Sequence, residues 1–240
     1  MSTTDKLQDV EILADKDPGE GLPGRVSLPG YTRTMGPQTH LFAERERLQQ
    51  LKWNHFNVKQ LSPTIGAELQ GLDLSQELSR DVIDEIKEAL WNYKVIFFRD
   101  QKITSKQQLR FASQFGELEI HPFLPPNAET PELVRFEKNA KAAGYENQWH
   151  HDVTWREEPS QGAILRAVEI PPVGGDTLFV DANAAYEGLP DQIKDRIDGL
   201  YATHDFLRAF ARQVPKEKLE EIRAKYPLVK HPVVINHHET

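Results

Sequence analysis

The sequence predicts an α+β fold that is mainly β, with a jelly roll or sandwich as its core and helices flanking it. In the first half, two segments carry apolar residues at helical spacing and lie beside short apolar runs. In the second half, runs of strand length alternate with turns that contain Pro and Gly. A chain of 240 residues without an internal repeat has room for one large domain of this kind, or for two small ones.

Residues 1–52 are predicted to be a polar N-terminal extension, and residues 53–240 the folded domain, because the first segment is rich in charge, Pro and Gly. Within the extension, Asp17–Gly24 contains a GxGxxG pattern, which binds dinucleotides where it leads into a helix. Pro23 and Pro29 stand where that helix would begin, so we interpret this stretch as a flexible arm.

Two helices with N-terminal capping signals are predicted in the first half. Ser79 can cap the first helix, with Asp81 in its first turn and apolar residues at helical spacing as far as Tyr93. Thr104 and Gln107 have the spacing of a capping box at the start of the second helix. Short strands are predicted around Val58 and Leu69, on either side of a break at Ser62–Gly66, and over Val95–Phe98.

Short strands and helices alternate in the second half. The expected strands are Leu133–Phe136, Ala163–Val168, Thr177–Val180, Leu200–Phe206 and His231–Asn236. The expected helices are Ala182–Gly188, Pro190–Ile197 and Lys216–Tyr226. A double-glycine turn at residues 174–175 precedes the strand that begins at Thr177. This alternation of short strands and turns is typical of sandwich and jelly-roll cores.

Composition and charge exclude several classes of partner. The net charge is −8, from 29 basic and 37 acidic residues without a dense basic stripe, so we expect no nucleic-acid partner. No apolar run approaches the roughly 18 residues of a membrane span, and the polar N-terminus lacks the apolar region of a signal peptide. We therefore expect a cytoplasmic protein without membrane contact. The absence of cysteine excludes disulfides and thiolate metal sites.

The segment Trp149–Trp155 places two imidazoles and a carboxylate in three consecutive positions. In an extended backbone, residues two apart point the same way, so His150 and Asp152 would project together and His151 away from them. An imidazole and a carboxylate on one side can provide two corners of a metal site, and a further histidine would complete the facial triad of non-heme Fe(II) oxygenases. A surface turn, or a His–Asp hydrogen bond in the core, explains the same pair.

Several motifs together resemble the taurine dioxygenase family, whose members are Fe(II)- and 2-oxoglutarate-dependent oxygenases. The similarity extends from about residue 55 to the end of the chain, with the motifs in the family order. They are Val95–Gln101, Phe115–Leu118, Trp149–Thr154, Glu169–Phe179, Ala184–Glu187, His204–Phe206 and His231–Val234. The resemblance implies that the core is a double-stranded β-helix, which is a form of jelly roll.

The resemblance also implies roles for five residues. His150 and Asp152 would be iron ligands, and Thr177 would contact a carboxylate of 2-oxoglutarate. His121 would contact the acidic head of the substrate, and Phe210 would line the wall of the substrate site. The last three residues also have simpler interpretations, as a strand threonine, a loop histidine and a core phenylalanine.

The family reaction that the resemblance implies consumes O2 and 2-oxoglutarate and releases succinate and CO2. It hydroxylates a small-molecule sulfonate or sulfate ester, and the product collapses to an aldehyde and sulfite or sulfate. Leu124 stands in place of a family tyrosine and Glu146 in place of a family asparagine, which disfavours taurine itself. Three alternatives stay open: an aryloxyalkanoate substrate, a truncated chain that acts at most as a binding fragment, and an unrelated jelly-roll binding module.

By the same resemblance, the later barrel strands, the second iron histidine and the arginine that binds 2-oxoglutarate would lie beyond Thr240. His237 and His238 offer imidazoles near that position. We interpret these two residues as part of a turn after the last predicted strand, rather than as a replacement ligand. The sequence leaves homo-oligomerisation open.

Overall fold

The computed structural model describes residues 39–121, 128–139, 149–207 and 216–240. The helices are α1 (Thr39–Gln50), α2 (Arg80–Tyr93), α3 (Ser105–Ala112), α4 (Ala182–Glu187), α5 (Asp191–Ile197) and α6 (Leu219–Lys225), with a 3-10 turn at Lys216–Lys218 before α6. The strands are β1 (Asn57–Gln60), β2 (Ala67–Gln70), β3 (Ile96–Phe97), β4 (Tyr201–His204) and β5 (Val229–Pro232). None of the described helices combines the length and the apolar character that crossing a bilayer requires.

The strands β1, β2 and β3 form the first sheet, with β2 in the centre. β1 and β2 are antiparallel, with Val58 opposite Leu69, while β2 and β3 are parallel, with Ala67 opposite Ile96. The alternation of side chains along β2 buries Ala67 and Leu69. The buried face of α2 lies in the same apolar cluster. The three strands that the sequence predicts in this half therefore form, although β3 is only two residues long.

The capping signals of α2 and α3 are confirmed. Ser79 Oγ accepts a hydrogen bond from the amide of Val82 at 3.5 Å. Thr104 and Gln107 form a reciprocal capping box, in which the side chain of each residue accepts a hydrogen bond from the amide of the other. These contacts satisfy amide groups that the first turn of a helix leaves without partners.

The helix α1 falls within the predicted N-terminal extension but packs against the domain. Leu48 is buried in the first apolar cluster, and its carbonyl accepts a hydrogen bond from the Tyr93 hydroxyl at 3.1 Å. The predicted boundary at residue 52 thus excludes a helix that contributes to the core. One buried leucine among polar neighbours gives no apolar periodicity, so the sequence did not reveal this contact. Residues 1–38 of the extension lie outside the described residues.

A single ammonium group connects the first half of the chain to α4. Lys94 Nζ lies 2.7 Å from the Thr64 carbonyl oxygen, 3.2 Å from Asp181 Oδ2 and 3.5 Å from Glu44 Oε1. Asp181 is buried, and its other carboxylate oxygen accepts hydrogen bonds from two amides in the first turn of α4. Since Lys94 directly follows α2, the ion pair fixes the start of α4 to the end of α2.

Three predicted strands, Leu133–Phe136, Ala163–Val168 and Thr177–Val180, are not strands in the structure. A strand exists only within a hydrogen-bonded ladder, and in the described residues no neighbouring strand pairs with these segments. Leu165 and Val168 are accordingly exposed. The described part of the chain is thus a mixture of helices and strands, as predicted, but it does not contain the closed barrel of a jelly roll.

The second sheet consists of β4 and β5, an antiparallel pair in which Ala202 lies opposite His231. The strand β4 lies inside the predicted segment Leu200–Phe206. The strand β5 begins two residues before the predicted segment His231–Asn236 and ends within it, because pairing with β4 sets its limits. The three predicted helices of this half form at α4, α5 and α6.

Glu85 on α2 holds the segment that leads into β1. Its carboxylate accepts hydrogen bonds from the amides of Asn54 at 2.6 Å and His55 at 2.9 Å, and it lies 2.7 Å from His55 Nδ1. Burial raises the pKa of Glu85, but these hydrogen bonds lower it by more, and the pKa stays below that of an ordinary glutamate. The ionised form of Glu85 is therefore the form that stabilises the fold.

We expect the replacement Lys94→Met to lower the free energy of unfolding by about 2 kcal/mol, because Asp181 would stay buried without a counter-charge. This is less than for a fully buried pair, since the Lys94 side chain is 27% exposed. The exposed pair Arg80–Asp84 supplies the control, and Arg80→Met should change the free energy by less than about 0.5 kcal/mol. Urea unfolding followed by circular dichroism measures both, and equal effects would contradict the connecting role of Lys94.

The contribution of Glu85 should depend on pH in a defined direction. Its pKa is lowered in the folded state, so its stabilisation is complete above the pKa of the unfolded chain, about 4.3, and is lost as the pH falls through the folded value. Glu85→Gln should therefore be less stable than the parent at pH 7, and the difference should shrink towards about pH 3. Glu88→Gln, on the exposed surface of the same helix, is the control. A difference for Glu85→Gln that stays constant over this range would refute the prediction.

Candidate metal centre

Residues 152–155 form a turn with an unusual backbone at its second position. Val153 has a φ of +60°, in the left-handed region that β-branched residues rarely adopt. Such conformations cost about 1–3 kcal/mol and persist only where surrounding contacts hold them. Here the amide of Arg156 donates a hydrogen bond to the Val153 carbonyl at 3.1 Å. Other contacts to the turn come from distant parts of the chain.

Trp155 anchors the turn in the second apolar cluster. Its ring contacts Phe206 edge-on at a centroid distance of 5.1 Å and Tyr226 at 4.9 Å. Leu219 and Ile222 of α6 pack against the same cluster. Contacts of this geometry between aromatic rings are favourable beyond the area that they bury. The turn is therefore fixed to α6 and to the segment after β4.

The structure brings His150 and Asp152 together at the start of this turn. His150 Nε2 lies 3.4 Å from Asp152 Oδ1, and the two side chains are 61% and 71% exposed. Two ligand atoms of an octahedral ion with bonds of about 2.1 Å lie about 3 Å apart. The observed distance is thus close to what a shared metal ion requires, and imidazole with carboxylate is a donor set that suits Fe(II). An exposed His–Asp ion pair has the same geometry.

The described residues fit part of an iron site rather than a whole one. Among them, no group of three or more His, Asp or Glu side chains comes together. His237 and His238 stack on each other at 5.4 Å and do not join the pair. His151 Nε2 lies 3.2 Å from the Ser160 carbonyl oxygen, which gives this neighbouring imidazole a different partner.

His121 lies within the electrostatic influence of the same site. Burial and the charge of Arg156 lower the pKa of His121, while the charges of Glu119 and Asp152 raise it. Burial is the largest of these effects, and the pKa lies below the ordinary value of histidine. Charges act on a pKa in this way only over short distances. Asp152 is thus among the charges that act on the pKa of His121, although 31 positions of sequence numbering separate the two residues.

Two of the residues whose charges act on His121, Glu119 and Arg156, form an ion pair. Arg156 Nη2 lies 2.7 Å from Glu119 Oε1, and Ser160 Oγ donates a hydrogen bond to Glu119 Oε2 at 2.9 Å. The guanidinium of Arg156 also lies over the ring of Trp155, 4.9 Å from its centroid. These contacts fix the guanidinium of Arg156 and pair its charge with that of Glu119.

Thr177 is exposed and follows a tight double-glycine turn. Gly174 and Gly175 have φ values of +81° and +75°, which glycine adopts without strain. Phe179 contacts Phe97 of β3 edge-on at 6.3 Å, so the segment after the turn is connected to the first sheet. Three positions that the sequence analysis discussed lie outside the described residues: Leu124, Glu146 and Phe210.

Two histidines that the sequence analysis did not place at the site reach the turn from the second sheet. His204 Nδ1 lies 2.9 Å from Thr154 Oγ1. His231 Nε2 lies 2.8 Å from the Thr154 carbonyl oxygen and 2.9 Å from that of Arg156. These contacts join residues 50 and 77 positions from Thr154, so no local spacing could reveal them. Their place within the family-like motifs was the only signal in the sequence.

Comparisons with known proteins match the chain to a dioxygenase family and, among single proteins, to dioxygenases and an alkylsulfatase. The model of the family described as Taurine catabolism dioxygenase TauD, TfdA family matches residues 57–240. An alkylsulfatase from Acinetobacter baylyi is 35% identical over an alignment of 191 residues, and the match covers 76% of this chain and 60% of the relative. An alpha-ketoglutarate-dependent sulfate ester dioxygenase from Pseudomonas putida is 35% identical over an alignment of 190 residues, and the match covers 75% of this chain and 62% of the relative. The chain thus spans about three fifths of the length of these relatives.

Another relative and two solved structures agree with this match. An alpha-ketoglutarate-dependent 2,4-dichlorophenoxyacetate dioxygenase from Cupriavidus pinatubonensis is 30% identical over 195 residues, covering 74% of this chain and 68% of the relative. A taurine dioxygenase structure from Burkholderia xenovorans has a TM-score of 0.62 at 34% identity and covers 78% of this chain and 61% of its own. The structure of AAD-2 with Mn(II) and N-oxalylglycine has a TM-score of 0.57 at 28% identity, covering 76% of this chain and 65% of its own.

Proposed function

Since the chain belongs to the taurine catabolism dioxygenase TauD, TfdA family, we propose that it is an Fe(II)- and 2-oxoglutarate-dependent dioxygenase that acts on a small sulfate ester or alkyl sulfonate. The main support is the approach of His150 to Asp152 within the region that the family model matches. Members of this family use Fe(II) and 2-oxoglutarate. The alkylsulfatase and the sulfate ester dioxygenase, both 35% identical, favour a sulfur-containing substrate.

His150 and Asp152 are the residues that would hold the iron. Both side chains are exposed, so the metal and its small-molecule ligands can reach them from solution. The carboxylate balances part of the charge of the ion, while the imidazole contributes a nitrogen donor. When bound, the iron supplies the O2 chemistry that converts 2-oxoglutarate to succinate and CO2 and hydroxylates the substrate.

Thr177 and His121 are assigned to the two organic ligands. The exposed hydroxyl of Thr177 can donate a hydrogen bond to a carboxylate of 2-oxoglutarate, and the double-glycine turn before it allows the backbone to approach a ligand closely. His121 retains an N–H donor even as a neutral imidazole, which suits an oxygen of a sulfate or sulfonate group. Because the charge of Arg156 is paired with that of Glu119, the contact with the anion is assigned to the imidazole of His121 alone. Phe210 stays a prediction for the substrate wall.

The overall reaction is balanced for either substrate class. One oxygen atom of O2 enters succinate as 2-oxoglutarate loses CO2, and the other forms a hydroxyl group on the carbon next to the sulfur-containing group. For a sulfate ester, the C–O bond to sulfate then breaks, and an aldehyde, sulfate and a proton are released. For a sulfonate, the C–S bond breaks and sulfite leaves instead.

An aryloxyalkanoate is the second candidate substrate. The 2,4-dichlorophenoxyacetate dioxygenase relative, at 30% identity, is the observation that favours it. The same metal pair and the same 2-oxoglutarate contacts serve both classes, and a carboxylate of the substrate would take the place of the sulfate group at His121. Hydroxylation next to the ether oxygen would then release a phenol, so the two classes differ in their products.

The metal pair can be tested by Mn(II) binding, measured by the loss of the free-ion signal in electron paramagnetic resonance. We expect His150→Ala and Asp152→Ala each to weaken binding by more than the roughly 10–100-fold that outer partners of a metal site contribute. His151→Ala is a matched control, because it removes the adjacent imidazole, whose partner is a carbonyl group. It should leave the affinity within about twofold, less than the loss of even an outer partner. Equal losses in all three variants would contradict the assignment of the pair.

The substrate class can be tested by purifying the protein, together with any residues that follow Thr240, and supplying it with Fe(II), 2-oxoglutarate and O2. Separate reactions contain an alkyl sulfate, an alkyl sulfonate or an aryloxyacetate. We expect substrate-dependent formation of succinate with the alkyl sulfate or sulfonate, together with equimolar sulfate or sulfite. Phenol release from the aryloxyacetate, without turnover of the sulfur compounds, would establish the second candidate. Absence of succinate in every reaction would overturn the proposal of catalysis and leave a binding role.

A further inference from the structure

We propose that His231 is a positioning residue, which fixes the turn carrying Asp152 and so directs its carboxylate, with His204 as its partner. This inference rests on the proposed function, since it takes Asp152 as a metal ligand. Neither histidine is itself a candidate ligand. Both act on the backbone and side chain of Thr154, two residues after Asp152.

The contacts of His231 define which ring nitrogen carries a proton. Its Nε2 lies 2.8 Å from the Thr154 carbonyl oxygen and 2.9 Å from the Arg156 carbonyl oxygen. Both partners are acceptors without a proton, so Nε2 must be the donor, and one N–H is shared between two peptide groups. A donor shared in this way restricts the orientation of both peptide planes of the turn.

His204 holds the same residue by a second, independent contact. Its Nδ1 lies 2.9 Å from Thr154 Oγ1, so Thr154 is held at its carbonyl by one ring and at its hydroxyl by the other. The two rings pack edge-to-face at a centroid distance of 5.0 Å and come from the paired strands β4 and β5. The second sheet thus presents two imidazoles as one rigid unit.

Asp152 has a particular need for such support. Its side chain is 71% exposed, so packing does little to orient it, and its direction depends on the backbone that carries it. That backbone continues into Val153, whose left-handed conformation needs outside contacts to persist. The buried ring of Trp155 anchors the far side of the turn, and His231 and His204 anchor its centre. Residues that orient metal ligands in this way typically contribute 10–100-fold to affinity, by general experience with metal sites.

A purely structural role for His231 makes a different prediction from a positioning role. A structural role would lower the stability of the fold but leave metal binding by the folded protein unchanged. A positioning role depends on the N–H donor, so a side chain that returns a donor to the same place should restore binding. Gln is such a replacement, because its Nε2 can reach the position of the histidine Nε2, while Leu fills similar space without a donor.

The experiment measures Mn(II) affinity by electron paramagnetic resonance for the parent, His231→Leu, His231→Gln and Asp152→Ala, at a temperature where each is folded by circular dichroism. We expect His231→Leu to bind about tenfold more weakly than the parent, and His231→Gln to recover most of that loss. His55→Leu is the matched control: it removes a histidine that contacts Glu85 on α2, and it should lower stability without changing Mn(II) affinity. Thr154→Val, which removes only the hydroxyl contact with His204, should weaken binding by a smaller factor and covers the case in which His231→Leu does not fold.

The outcomes separate this inference from the function on which it rests. If the parent binds Mn(II), Asp152→Ala loses binding, and both His231→Leu and Thr154→Val bind as the parent does, the positioning role is refuted while the metal site stands. If His231→Gln binds no better than His231→Leu, the donor role is refuted. If the parent shows no binding, or Asp152→Ala makes no difference, the metal site itself is refuted and the positioning role with it.

Discussion

The turn at residues 152–155 is held in place by parts of the chain that are distant in sequence, and the candidate site depends on this constraint. Val153 has a backbone conformation that its own side chain disfavours, so local preferences cannot maintain it. The hydrogen bonds that join His204 and His231 to Thr154, and the burial of Trp155, offset the cost of this conformation. The second sheet and α6 thus serve the site by fixing its backbone, although neither supplies a candidate ligand among the described residues.

The segment that carries Thr177 is constrained in a different way, by a ring contact and an ion pair. Thr177 is exposed, but Phe179 contacts Phe97 of the first sheet two residues later. Two residues further on, the buried carboxylate of Asp181 meets the ammonium group of Lys94. These contacts leave the hydroxyl of Thr177 accessible while they limit where its backbone can lie. The turn at residues 152–155 and the segment of Thr177 thus share one property: the candidate binding group is exposed, while contacts restrain the backbone beside it.

The sequence predicted those features that local interactions determine. The caps at Ser79 and Thr104 are formed by residues three positions apart, and both were read correctly. A strand needs a partner from elsewhere in the chain, which is why Ala163–Val168 has the composition of a strand but no ladder in the structure. The burial of Leu48 was not predicted because the other apolar residues of its helix, Leu41 to Ala43, are consecutive, and the charged residues 44–47 separate them from it.

In the candidate site, too, the contacts between sequence neighbours could be predicted and those between distant residues could not. His150 and Asp152 are neighbours in sequence, so their approach to each other could be anticipated from a short motif. The assignment of His121 to the same site came only from the family resemblance and stays a prediction, since His121 and Asp152 belong to separate segments. The hydrogen bonds of His231 to the turn depend on the pairing of β4 with β5. No pattern of residue types specifies such a contact before the fold is known.

The proposed binding role of the His150–Asp152 pair is compatible with the small contribution that this pair makes to stability. An exposed ion pair contributes about 0–1 kcal/mol to stability. The conformation of Val153 beside it costs about 1–3 kcal/mol. The contacts of Trp155, His204 and His231 offset that cost, so the pair is not what stabilises the turn. Strained backbone next to accessible polar groups is typical of sites where the position of those groups matters more than stability. The proposed metal ion would need both side chains close together and accessible from solution, as they are here.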